Sequence, residues 1–144
     1  MPKFIRLVLA VVLGFVVGSA VNMALIKVGG SVVPPPAGTD VTTMEGLKAA
    51  LLLFEAKHFL FPFLAHALGT SVGAFIAALL APGKSVVPAY VAGCMFLAGG
   101  VASIVMLPSP LWFSAVDLLL AYLPTTWLAQ TLAASMKRGR ADTA

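Results

Sequence analysis

Four long apolar runs, joined by segments too short to fold alone, leave this chain few choices. They cover residues 4–26, 59–81, 86–107 and 111–134. Each reaches the roughly 20 residues that a helix needs to cross a hydrocarbon core. A soluble helix carries a polar face, and these runs have almost none. Hydrophobic residues make up 60% of the 144 and charged residues 10%, far from the balance of a water-soluble domain. The expected fold is therefore all-α: one domain of four transmembrane helices, with the lipid bilayer as its main partner.

The first run follows Lys3 and Arg6 and contains Gly18-Ser19-Ala20, which resembles a signal-peptide cleavage site. The apolar stretch continues past it to Ile26, so we read a retained membrane helix.

The net charge of +4 follows topology and does not indicate nucleic-acid binding. Lys3 and Arg6, then Lys84, then Lys137, Arg138 and Arg140 all fall on one side of a four-span chain. The positive-inside rule makes that side cytoplasmic, with both termini on it. On the opposite side Lys27, Lys48 and Lys57 are offset by Asp40, Glu45 and Glu55. The single cysteine, Cys94, cannot form an intrachain disulfide and is expected to be a small packing residue.

Small residues recur every four positions in the first two runs: Ala10, Gly14, Gly18 and Asn22, then Ala65, Gly69, Gly73 and Ala77. Such ladders let helix backbones approach closely. They make the second span the expected centre of packing. The Gly14/Gly18 and Gly69/Gly73 ladders also offer a route to a homo-oligomer. Gly29-Gly30 is expected to cap the first helix. Three prolines at 34–36 predict a stiff polyproline segment beyond it. Thr42 and Glu45 have capping-box spacing. Met44, Leu47, Leu51 and Phe54 follow at helical spacing, predicting a short interfacial helix before the second span. Pro62 is expected to bend the junction between the two. In the fourth span, Pro124 is followed by Thr125 and Thr126, whose hydroxyls are placed to satisfy backbone groups that the proline frees.

The candidate chemistry lies in a polar layer. Counted at 1.5 Å per residue, Asn22, His66, Ser103 and Asp117 each fall roughly 6 to 10 Å below the boundary opposite the termini. Thr70 lies one turn beyond His66. Asp117 is the one acidic residue within any of the four runs. An ionised carboxylate facing lipid is costly, so Asp117 should face inward, with His66 as its partner.

Several functions fit this layer. One is a structural hydrogen-bond network in a non-catalytic accessory or scaffold subunit. Another is a pocket or pathway, opening away from the termini, for a small solute, an ion or a proton. A third is a metal or cofactor site. Glu55 and His58 form a Glu-x-x-His pair, and His66 and Asp117 would complete four ligands. No specific cofactor follows from the sequence. No serine elbow, paired catalytic carboxylates or phosphate-cradling glycine loop appears. The reading preferred on sequence is binding or transport of a small solute or ion.

The runs GSAVNM, VPPPAGTD, KHFLFPFLAHALGTSVGAF and LPSPLWFSAVDLLLAYLP resemble an uncharacterised family of small four-helix bacterial membrane proteins. The resemblance implies a fold of this kind and a bacterial origin, and we read the location as the bacterial inner membrane. It carries no site residues with it.

Overall fold

The computed structural model describes the backbone of residues 1–142 and the side chains through Gly139. Helix α1 spans Lys3–Val32. A short helix α2, Met44–Leu51, follows the proline loop. A 3-10 turn, Ala56–Phe59, leads into α3, Leu60–Leu80. Helix α4 spans Val87–Met106. The last apolar run is split into α5, Leu111–Leu120, and α6, Leu123–Asp142. No strand occurs among the described residues. Four helical stretches are long and apolar enough to cross a membrane: Lys3–Val32, Ala56–Leu80, Val87–Met106 and Leu111–Gly139. The chain is a multi-pass membrane protein with an up-down-up-down course.

Helix α3 is the hub, touching α1, α4, α5 and α6. Its contact with α1 is backbone on backbone. Gly14 and Gly18 are buried against Gly69, Gly73 and Ala77. A methyl group on Gly18 would run into the carbonyl oxygen of Gly69 and stand 2.7 Å from the Phe96 ring. Lipid tails are as apolar as leucine, so van der Waals contact at this range replaces the hydrophobic effect as the cohesive force. Both ladders are consumed within one chain. The oligomerisation route expected through them is therefore not available, because their faces are already covered.

A neighbouring face of α3, about 100° round from the glycine ladder, packs on α4 and α6 through Ala74, Ala78, Ala89, Ala129 and Ala133. Nearer the loops, Ala67, Phe96, Ala121 and Tyr122 form a second cluster. Leu51, Phe59 and Phe113 form a third, with Leu47 and Phe54 against it. Trp112 meets the edge of Phe59 and is half exposed, as an interfacial aromatic anchor should be.

Local expectations were corrected in five places. Helix α1 runs through Gly29-Gly30 to Val32. Gly29 serves close packing instead of a cap, since a methyl there would collide with the Phe61 ring. The helix ends where the residues preceding proline are driven into extended backbone. The cap of α2 is Thr43, whose hydroxyl accepts from Gly46 N–H at 3.0 Å. Thr42 is taken by Asp40 instead: its N–H and hydroxyl donate to the carboxylate at 2.8 and 2.6 Å. Pro62 falls in the first turn of α3, where no backbone bond is lost. The bend lies upstream, at residues 52–55. Cys94, expected to be a packing residue, is exposed on α4. The final run is broken at Ala121-Tyr122 and its second half extends beyond residue 134.

That break follows from Pro124, whose ring clashes with the carbonyl four residues back. Of the two threonines expected to help, Thr126 is buried with its hydroxyl unpaired among the described residues, whereas Thr125 bonds nearby backbone. Its hydroxyl donates to the carbonyls of Ala121 at 2.7 Å and Tyr122 at 2.9 Å.

Gly18→Ala is expected to lower thermal stability in detergent by about 1–3 kcal/mol, because the backbone of α3 cannot yield. Gly30→Ala is expected to be neutral, since nothing lies within 4 Å of that position. Paired unfolding curves test this. Equal stability of the two variants would contradict the close α1–α3 contact.

Candidate functional site

The fold brings the polar residues of α3 and α5 to one point. Asp117 is 1% exposed. His66 Nδ1 stands 2.9 Å from its Oδ1 and 3.0 Å from Oδ2, the position of a ring N–H shared by a carboxylate. The Tyr122 hydroxyl donates to Oδ2 at 2.9 Å. The expected His66–Asp117 pairing is thus present, joining residues 51 positions apart. An acidic side chain in an apolar interior needs such partners, and here His66 and Tyr122 supply them.

Tyr122 was not singled out on sequence. In a straight helix, residues five apart point about 140° away from each other. The break at Ala121-Tyr122 turns the ring back onto Asp117. The proline three residues beyond Asp117's own C-terminal turn was the available signal. Gly100 of α4 makes room for this arrangement: a methyl group there would strike the Tyr122 hydroxyl. The His66 and Tyr122 rings lie 5.8 Å apart at 30°.

Above the dyad is a cavity of about 310 Å³. His66, Asp117, Ser103 and Gly100 lie towards its inner end. Phe54, Phe59, Phe61 and Phe113 wall it, together with Leu47 and Leu51 of α2. Val33, Pro35 and Val41 of the proline loop also line it, so the stiff segment and the interfacial helix cover its mouth. Ser109 and His58 bring further polar groups near the rim. His66 Nε2 has no hydrogen-bond partner among the described residues, and the side chain is 20% exposed. The carboxylate holds one ring nitrogen and leaves the other for the cavity.

Two residues of the expected layer are elsewhere. Asn22 packs on Gly69 at the α1–α3 contact and does not line the cavity. Its four-residue register with Gly14 and Gly18 puts it on the ladder face, and the ladder prevails. Thr70 is fully buried, with its hydroxyl unpaired among the described residues. It lies one turn from Ala74, on the face of α3 that packs on α4 and α6. Thr126 is likewise buried with an unpaired hydroxyl and sits against Gly93.

The four-ligand metal arrangement does not assemble. Among the described residues, no three His, Cys, Asp or Glu side chains come together. Glu55 and His58 are bound into a reciprocal cap of the 3-10 turn. The Glu55 side chain accepts from the His58 N–H, and His58 Nδ1 accepts from the Glu55 N–H at 2.9 Å. The Glu-x-x-His spacing is thus used for capping, which the same three-residue offset allows. Glu55 also meets Lys57 at 3.0 Å in an exposed pair. That hydrogen bond and charge hold the Glu55 carboxyl below its usual range. In the loop, the Thr42 hydroxyl and N–H do the same for Asp40. Ser71 donates to the Ala67 carbonyl at 2.7 Å, a bond within its own helix.

No family model, curated protein or solved structure matches the chain. The functional reading therefore stands on this geometry.

Proposed function

We propose that this protein binds a small, mostly apolar molecule through a hydrogen-bonding end seated on His66. The observation that carries this reading is the cavity of about 310 Å³ whose apolar walls close on a carboxylate-oriented imidazole. Ligand sites are commonly concave, apolar and furnished with a few fixed polar groups. The polarity here favours an amphipathic guest that enters polar end first. Its body would lie among Phe54, Phe59, Phe61 and Phe113. Asp117 would orient His66, as carboxylates orient metal-bound or catalytic imidazoles, and Tyr122 would steady Asp117.

Binding is favoured over conduction within one copy. The cluster of Ala67, Phe96, Ala121 and Tyr122, and the alanine cluster beyond it, pack the path towards the terminal end. The competing reading is an accessory subunit whose His66–Asp117–Tyr122 network is structural. The full burial and double satisfaction of Asp117 favour it. The two readings differ in what the cavity holds.

Native mass spectrometry of protein released from its own membrane decides between them. One small-molecule adduct per copy is expected, lost in His66→Leu, which removes the polar seat, and in Ser103→Trp, which fills the cavity. A bare wild-type protein, or an adduct retained in both variants, would overturn the binding reading.

We further propose a bacterial inner-membrane location with the cavity facing away from the cytoplasm. Lys3, Arg6, Lys84, Lys137 and Arg138 gather at the terminal end, consistent with the positive-inside rule. The side chain of Arg140 lies outside the described residues. Alkaline phosphatase fused at Gly38 should be active, and an inactive fusion would reverse the orientation.

A further inference from the structure

The terminal end of the bundle holds a second cleft, of about 530 Å³, between the α3–α4 turn and α6. Three cations line it: Lys84, Lys137 and Arg138. None has a carboxylate partner among the described residues, whose only ion pairs are Lys57–Glu55 and His66–Asp117. The acids with described side chains are all remote from this end: Asp40, Glu45 and Glu55 belong to the opposite loops, and Asp117 to the bundle interior. Lys137 is held in place. Its ammonium donates to the carbonyls of Ala81 at 2.7 Å and Gly83 at 3.3 Å, satisfying the end of α3. A fixed ammonium beside two more cations is a concentration of positive charge that a single anion relieves.

The cleft also has a gradient along its length. Gln130, Ala134 and Lys137 follow one another on α6 at helical spacing and all line it. From Lys137 to Gln130 is about 10 Å along the axis. The cations lie at the membrane boundary, one amide lies deeper, and Ala78, Ala134 and Val86 provide apolar wall between. A free anion has use for the cations alone. A phospholipid has use for all of it: phosphate on the cations, ester carbonyl on the Gln130 amide, chain along the wall. Basic pockets between membrane helices are suited to anionic headgroups.

We propose that this cleft is a binding site for one anionic phospholipid. Lys84, Lys137 and Arg138 take the phosphate, and Gln130 donates to the ester. The site is separate from the cavity at His66 and does not depend on its function.

The test is native mass spectrometry of the full chain in mixed phosphatidylglycerol and phosphatidylcholine of matched chain length. One phosphatidylglycerol per copy is expected to persist at collision energies that strip phosphatidylcholine. Lys84→Gln/Arg138→Gln should lower that occupancy at least tenfold, while Lys3→Gln/Arg6→Gln, which removes equal charge at the same end outside the cleft, should leave it unchanged. Arg138→Lys, which keeps charge but loses the bidentate fork, should weaken it to an intermediate level. Thermal unfolding confirms that each variant is folded. Equal loss in both double variants would reduce the effect to diffuse surface charge and overturn the site. Inorganic phosphate that displaces the lipid, and that binds Gln130→Leu as well as it binds the unaltered chain, would assign the cleft to a free anion and overturn the lipid.

Discussion

A carboxylate cannot be left unpaired inside a bilayer, and the arrangement of this bundle answers to that constraint. An acidic side chain at the centre of a membrane helix costs about 3 kcal/mol when it lacks a partner. Asp117 therefore has to turn inward, and it has to meet donors there. His66 supplies one from α3 and Tyr122 another from beyond the helix break. Gly100 has to be bare for the tyrosine to fit. Three helices are thus placed with respect to each other by the needs of one carboxyl group.

The α1–α3 contact does the complementary work. It contributes cohesion without polarity, through glycines that let two backbones touch. Because α1 is bound so closely along Gly14, Gly18 and Gly29, its far end and the loop beyond it come to rest over the gap between α3, α4 and α5. The gap holds aromatic rings on its sides and the dyad at its inner end. Cohesion by small residues and pairing by polar ones therefore meet at a cavity that neither would create alone. Thr70 and Thr126 show the cost elsewhere: both hydroxyls are buried without partners among the described residues.

Much of this was legible in the residues. Apolar length located the four spans, small-residue spacing marked the close-packing faces of α1 and α3 without pairing them, and the cost of a membrane carboxylate predicted the His66–Asp117 pair. What was not legible depended on rotation about helix axes. Depth along a span is readable at a fixed rise per residue, and three of the residues so chosen, His66, Ser103 and Asp117, line one cavity. The direction in which each points is set by neighbouring helices. Asn22 belongs to the ladder face, and Thr70 to the face towards α4 and α6. Tyr122 was hidden for a related reason, since only the break before Pro124 brings it into line. Glu55 and His58 were ambiguous because one three-residue offset serves both a metal pair and a helix cap, and the local backbone decided for the cap.

The most direct test of this picture is the distance between His66 and Asp117 in a lipid bilayer. Solid-state NMR recoupling between the ¹⁵N-labelled ring of His66 and the ¹³C-labelled carboxyl of Asp117 measures it, with His58→Gln removing the second histidine signal. A hydrogen-bonded pair requires Nδ1 to lie within about 4 Å of the carboxyl carbon, and that is the expected result. A separation beyond about 6 Å, out of hydrogen-bond range, would show that the carboxylate is satisfied in another way. The inward-turned dyad, and the cavity built upon it, would then be wrong.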